Sequence, residues 1–329
     1  MPPSLTDPAD LVRRWRLPQA ALPDVAEASA RFPLKLSDHL AERLAGLPPD
    51  DPRVRQFLPS ADELIEREGF VSDPVGDARV QRAPGLLQKY RGRALVIATA
   101  ACPVHCRYCF RREYPYADAS AVNHWPEVLD ALRGDPEIHE VILSGGDPLS
   151  LSNAVLSRMV RELEAIPHLT RLRIHTRFPT TSPGRVDDEL AALLAGTRFA
   201  PAVVVLHVNH AAELDPEVSL AVRRLRATGA VLLSQSVLLR GVNDSEDALA
   251  ALSEALGALG VVPYYLHLLD RVRGAGHFEV PEPEAVALVR ALADRLPGYL
   301  VPKLVRELSG ERAKTLVPLT APSPSGARE

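Results

Sequence analysis

The chain has 329 residues, 46% of them hydrophobic and 24% charged, with a formal net charge of −4. That is enough apolar sequence for the core of one large α/β domain with an extension, or of two modest domains. The charge gives no electrostatic case for binding nucleic acid. No apolar run reaches the length of a membrane span and the N-terminus lacks a signal-peptide pattern, so no membrane is expected and a cytoplasmic location is.

Residues 1–88 read as short helices broken by proline, for example over 8–16, 36–46 and 61–68, with Pro48-Pro49-Asp50-Asp51-Pro52 as a breaker. They carry no motif and are expected to form a helical N-terminal extension packed on the main domain.

From Arg93 onward strands and helices alternate. Short apolar strands are expected over 94–98, 140–143, 172–175, 202–207, 230–236 and 264–269. Helices are expected over 125–133, 153–165, 186–194, 216–228, 245–259 and 284–295. Leu156, Met159, Val160 and Leu163 show the helical spacing. Six β-then-α units predict a parallel sheet with helices outside and strands buried on both faces. In such sheets and barrels the chemistry sits at the C-terminal strand ends. Each expected strand ends in polar residues or glycine: the cysteine loop, Ser144-Gly145-Gly146-Asp147, His175-Thr176-Arg177, His207, Gln235 and Asp270. These ends are expected to face one cavity.

All three cysteines fall in Cys102-Pro-Val-His-Cys106-Arg-Tyr-Cys109, a C-x3-C-x2-C spacing. Thiolates ligate iron–sulfur clusters well. Three of them leave one iron of a four-iron cluster with an open site. The alternatives are ordinary buried cysteines, or a zinc site with His105 as fourth ligand. A clustered odd number argues against a disulfide framework and suits a reducing compartment.

Lysine occurs only at Lys35, Lys89, Lys303 and Lys314, among 38 basic residues. Arginine cannot form an imine, so each surviving lysine raises a chemical question. Lys89, Arg91 and Arg93 stand just before the first strand and could clamp a phosphate or form a solvated loop.

Several segments together resemble one family. They are Tyr108-Cys-Phe-Arg-Arg112, Leu143-Ser-Gly-Gly-Asp147, Arg173-Ile-His-Thr-Arg177, His207-Val-Asn-His210, Gln235-Ser-Val-Leu-Leu-Arg-Gly-Val-Asn-Asp244 and Tyr264-Tyr265 with Asp270 and Gly276-His-Phe278. In this order they are similar to the lysine 2,3-aminomutases of the radical S-adenosylmethionine (SAM) superfamily, over about residues 84–318. The C-terminal segments Gly298-Tyr-Leu-Val-Pro-Lys-Leu304 and Gly310-Glu-Arg-Ala-Lys-Thr315 most resemble the branch that makes (R)-β-lysine for elongation factor P.

The resemblance implies a partial (β/α)6 barrel over 89–296. Before it would stand the extension of 1–88, and after it a C-terminal segment, 297–329, carrying a pyridoxal 5′-phosphate (PLP) lysine. It implies a 4Fe–4S cluster on Cys102, Cys106 and Cys109, with SAM at the open iron. By position Lys314 matches the PLP lysine, with Lys303 as the competing candidate. Lys89 and Arg93, with Tyr90 between them, match the phosphate clamp. Ser144, Gly145, Gly146, Asp147, His175, Arg177, His207 and Gln235 would line the cofactor pocket. Arg111 matches the arginine for the substrate carboxylate, Asp270 and Glu307 the carboxylates for the distal ammonium of L-lysine.

Those two carboxylates favour lysine over glutamate, whose side chain they would repel. The implied partners are L-lysine, a reducing electron donor and enzymes of the elongation factor P pathway. The chain lacks the further cysteines with which larger family members bind zinc. The alternatives are another radical SAM reaction, such as glutamate 2,3-amino migration or activation of a glycyl-radical enzyme, and a non-catalytic metal module.

Overall fold

The structure, a computed structural model, describes residues 4–115 and 120–319. A short antiparallel pair, β1 (Ser4–Leu5) with β2 (Leu36–Ser37), opens the chain. The main sheet has ten strands, arranged in chain order from edge to edge. They are β3 (Gln81–Ala83), β4 (Leu86–Tyr90), β5 (Arg93–Thr99), β6 (Glu140–Gly145), β7 (Arg171–Thr176), β8 (Val203–His207), β9 (Val231–Val237), β10 (Val262–His267), β11 (Lys303–Arg306) and β12 (Thr315–Leu316).

Strands β5 through β11 are all parallel. At one edge β3 and β4 form an antiparallel hairpin on β5; at the other, β12 turns back antiparallel on β11. Among the described residues β3 and β12 share no ladder, so the barrel is partial.

The crossovers are the helices Trp125–Arg133, Asn153–Glu164, Asp188–Gly196, Pro216–Ala227, Glu246–Ala258 and Glu282–Arg295. Four start where the sequence supplies a capping side chain: Ser152, Asp187, Asp215 and Ser245 accept the N–H of Val155, Leu190, Val218 and Ala248. A cap of this kind contributes about 1 kcal/mol. The apolar stripe Leu156, Met159, Val160 and Leu163 is buried against the sheet, in one core with Val141, Leu143, Ile174 and Val204.

The extension has its own apolar cluster. Leu11, Trp15, Leu36, Leu40 and Phe57 pack together, and Val104 from the cysteine loop joins them. The indole N–H of Trp15 donates to the Ala41 carbonyl at 2.9 Å. Helices Pro8–Arg14, Leu22–Arg31 and Asp38–Leu44 fit the reading of short helical pieces.

Two details differ from it. Over 61–68 there is only one 3-10 turn, Ala61–Leu64. Residues 81–90 are strands rather than helix. Pro84-Gly85 turns the chain, with Gly85 at φ +80°, and an alanine there would drive its Cβ into the Ala121 backbone. Leu86 and Leu87, both buried, then pair with Val96 and Leu95 of β5. Burial against the sheet decides the conformation of so short a run. No described helix is long and apolar enough to cross a membrane.

Candidate active site

The C-terminal ends of the strands surround a cavity of about 370 Å3, and every expected site residue lines it. The sheet register explains part of this: His207 stands opposite Gln235, and Gln235 opposite Tyr265. Side chains in one row of a parallel sheet point to one face.

Cys102, Cys106 and Cys109 follow β5 and stand partly exposed at the cavity wall. Burial raises the Cys102 thiol well above its usual range, and pushes Cys109 up to about 11. Both therefore stay thiols until a metal ion replaces their protons. Arg177 Nη1 donates to Cys106 Sγ at 3.0 Å. No three His, Cys, Asp or Glu side chains among the described residues converge on one ion site. A cluster makes no such demand, because each of its thiolates binds a different iron. His105, the alternative fourth zinc ligand, has its Nδ1 2.7 Å from the Pro33 carbonyl oxygen and stacks on Phe32.

The Gly-Gly pair packs on the start of this loop. Gly146 N–H donates to Thr99 O and Asp147 N–H to Ala101 O, each at 2.8 Å. A Cβ on Gly146 would collide with the Ala101 carbonyl, and Gly145 sits at φ +108°. The Asp147 carboxylate is fully engaged: it accepts from Thr176 Oγ1 at 2.9 Å, Arg177 N at 2.7 Å and Leu149 N at 3.0 Å. Burial pushes its carboxyl up to about 6 in spite of these donors.

Arg177 and His207 belong to a buried network. The Arg177 guanidinium donates to Gln56 Oε1 at 2.6 Å, to Glu213 Oε2 at 3.0 Å and to the Tyr108 hydroxyl. His207 Nε2 lies 2.7 Å from that hydroxyl. By contrast, the Nε2 atoms of His175, Gln235 and His267 are buried at the cavity without a protein partner. Burial holds both of these imidazoles well below their ordinary pKa, so they are neutral. Three such orphans on one wall mark a surface built for a polar ligand.

Across the cavity Glu307 is the hub. Its carboxylate accepts from Lys314 at 2.9 Å, from Lys89 at 2.6 Å and from the Tyr90 hydroxyl at 2.5 Å. Burial alone would raise the Glu307 carboxyl, but the Lys314 charge and these three donors outweigh it and hold it at about 2. Lys314 Nζ is also 5.9 Å from the centre of the Tyr265 ring. Arg93 lies over Tyr90, 4.3 Å from its ring centre. Lys303 is exposed on β11 against Tyr264 and is not among the cavity-lining residues.

Arg111 Nε donates to Asp77 Oδ2 at 2.7 Å. Burial pushes the Asp270 carboxyl up to about 7, against the pull of the Lys314 charge. Asp270 thus shares the cavity with Lys314, Lys89 and Glu307, as their mutual electrostatic influence records.

Sequence reasoning passed over His267 and Asp77, and gave Tyr265 no role beyond the motif it belongs to. β10 ends at His267, two residues before the expected end at 269, so that the histidine fell inside the expected strand. Asp77 sits in a 3-10 turn of a stretch read as motif-free, and only the fold carries it to Arg111.

Three cysteines on the loop after the first parallel strand, beneath a glycine pair and a partial barrel, define a radical SAM enzyme. The radical SAM superfamily profile matches residues 96–252. The chain belongs to the L-lysine 2,3-aminomutase family of radical SAM isomerases. An L-lysine 2,3-aminomutase from Escherichia coli (strain K12) is 44% identical over 314 residues, which span 94% of this chain and 91% of that protein. One from Haemophilus influenzae is 42% identical over 315 residues, 95% of this chain and 93% of that one. One from Buchnera aphidicola is 38% identical over 289 residues, 88% and 85% respectively.

Proposed function

We propose that this enzyme converts L-α-lysine to (R)-β-lysine by 2,3-migration of the amino group, using a 4Fe–4S cluster, SAM and PLP. The observation that carries the reading is one cavity lined by three cysteines and by Lys314 with Lys89, Tyr90 and Arg93. The residues fit the groups. Cys102, Cys106 and Cys109 would hold the cluster and leave one iron for SAM. Lys314 would hold PLP, with Lys89, Tyr90 and Arg93 at its phosphate. The orphaned Nε2 atoms of His175 and Gln235 offer partners to a polar ligand, and Ser144, Gly145 and Gly146, which line the same cavity, let the strand end pack on the root of the cysteine loop. When bound, the cluster supplies an electron that splits SAM to a hydrogen-abstracting species, and PLP supplies an aldehyde that carries the migrating nitrogen.

The chain's own residues orient and exclude. Arg111 can grip the substrate carboxylate, sharing its guanidinium with Asp77. Asp270 and Glu307 can receive the distal ammonium; its charge would draw the Asp270 proton off, because an opposite charge favours the ionised carboxyl. Asp147 holds no free lone pair on its donors' side and acts by fixing the strand end around Arg177. The buried wall keeps water from the reacting atoms.

Two carboxylates in the cavity favour lysine over glutamate, the second reading. Delivery of the product to the elongation factor P pathway and a reducing electron donor follow from the family resemblance, and a cytoplasmic site from the clustered thiols; all three belong to this proposal. The proposed bounds are 1–88 for the extension, 89–296 for the core and 297–329 for the lysine-bearing segment. The first boundary falls inside β4, which with β3 pairs into the main sheet, and residues 1–3, 116–119 and 320–329 lie outside the described residues. Anaerobic incubation of the reconstituted protein with SAM, dithionite, PLP and L-lysine tests it. Formation of β-lysine is expected; β-glutamate from L-glutamate in its place would overturn the substrate assignment.

A further inference from the structure

Val104, His105 and Arg107, between the cysteines, are taken up by the N-terminal extension, whereas Tyr108 packs with Leu239, Val242 and Phe278. Val104 packs in the extension's apolar cluster. The His105 backbone N–H donates to Lys35 O at 2.8 Å, and that of Arg107 to Gln56 O at 2.9 Å. Arg107, between Cys106 and Cys109, is 0% exposed. Its guanidinium meets Glu63 in a two-pronged pair, Nε to Oε1 and Nη2 to Oε2, each at 2.7 Å. It also donates to the Phe32 carbonyl at 3.0 Å and the Ala28 carbonyl at 3.3 Å.

Arg112, just past the last cysteine, donates to the same Glu63 Oε2 at 2.7 Å and back to Arg107 O at 3.0 Å. A second connection runs through Gln56, whose Oε1 accepts from Arg177, the arginine touching Cys106 Sγ.

A buried ion pair of this kind is a weak way to gain stability, because apolar groups of the same size would do as well. What a guanidinium–carboxylate fork supplies is direction: two parallel hydrogen bonds fix both partners' orientation. Here the fixed object is a short loop that must present three sulfurs to three different irons.

We infer that the extension clamps the cysteine loop: Glu63, through Arg107 and Arg112, and Gln56, through Arg177, are positioning residues that set the geometry in which the thiolates take and keep iron. The inference rests on the cysteines being the cluster ligands proposed above. It gives residues 4–64 a function in this enzyme beyond packing.

The test compares anaerobically reconstituted full-length proteins by the rate of iron loss to a chelator and by the cluster's midpoint potential in an EPR-monitored titration. Wild-type protein that takes up no iron would overturn the cluster reading itself, whatever the variants do. With wild type loaded, Glu63→Gln is expected to lose iron about tenfold faster or more, the usual effect of removing a group that orients a metal ligand. Gln56→Leu is expected to shift the potential, since it removes one of the acceptors that hold Arg177 against Cys106. Both are read at a temperature where circular dichroism shows them folded. Glu66→Gln, at an exposed position of the same segment, should match wild type.

A Glu63→Gln protein that melts lower yet keeps wild-type iron-loss rate and potential makes the contact structural only and overturns the inference. If Glu63→Gln does not fold, Arg112→Lys, which disturbs the second arginine's contact with Glu63 and leaves the Arg107 fork in place, is judged by the same two outcomes.

Discussion

Lys314 donates to the Glu307 carboxylate at 2.9 Å, while Lys89 reaches the other oxygen at 2.6 Å. One carboxylate thus ties two lysines that sit far apart in the chain, and Tyr90 completes the set. A carboxylate shared in this way keeps both amines in the cavity until a ligand claims one.

Lys314→Ala should abolish covalent trapping of PLP by borohydride while leaving iron content unchanged. Lys303→Ala should leave trapping intact, because that side chain is exposed on β11. Mass spectrometry of the reduced peptide reads the site directly; a label on Lys303 would reverse the assignment.

Glu307 makes acid stability a test of the hub. Its carboxyl is held at about 2 in the fold against a usual 4.5. A depressed carboxyl stabilises the protein above its unfolded pKa, and that contribution fades as pH falls from about 4.5 toward 2. The iron-free wild type should therefore lose about 1 kcal/mol more than Glu307→Gln between about pH 6 and pH 4. Urea unfolding at the two pH values measures it, and equal losses would remove Glu307 from the hub.

Cys106→Ser should abolish reductive cleavage of SAM and lower iron content, with the far-ultraviolet circular dichroism unchanged. The sulfur accepts a hydrogen bond from Arg177, and the side chain only borders the extension's apolar cluster and the cluster around Tyr108 and Phe278, so serine fits in its place. Retained cleavage activity would exclude the three-cysteine cluster.

Gly146→Ala should be costly although it adds one methyl group. The new Cβ would overlap the Ala101 carbonyl at the root of the cysteine loop. Overpacking of this kind costs about 1–3 kcal/mol, and here it should also reduce iron uptake. Chemical denaturation and an iron assay on the same preparation measure both effects.

The alternation of strand and helix from Arg93 was legible because apolar runs such as 203–206 alternate with helices that carry a stripe such as Leu156, Met159, Val160 and Leu163. The expectation of burial on both faces failed at β7 and β9, whose second face carries Arg173, His175 and Gln235 to the cavity. The strand ends were legible because polar residues close otherwise apolar runs. The β3–β4 hairpin was not, since Gln81–Ala83 and Leu86–Tyr90 take their conformation from β5. Glu307 was read as a substrate carboxylate; its grip on Lys314 follows from the β11–β12 pairing, Arg306 opposite Thr315, and its grip on Lys89 joins β4 and β11 from opposite sides of the sheet, a long-range fact. Glu63 and Gln56 gave no sequence signal at all, because their partners Arg107 and Arg177 stand in other segments.

The two halves of this cavity are made at opposite moments of synthesis. The thiols leave the ribosome early, just after β5, and Lys314 leaves it late, one residue ahead of β12. A nascent chain can fold around its sulfurs long before it owns the amine that faces them. On the proposed roles, a fragment stopped before Lys314 would accordingly keep the thiols for iron and lack the amine that captures an aldehyde.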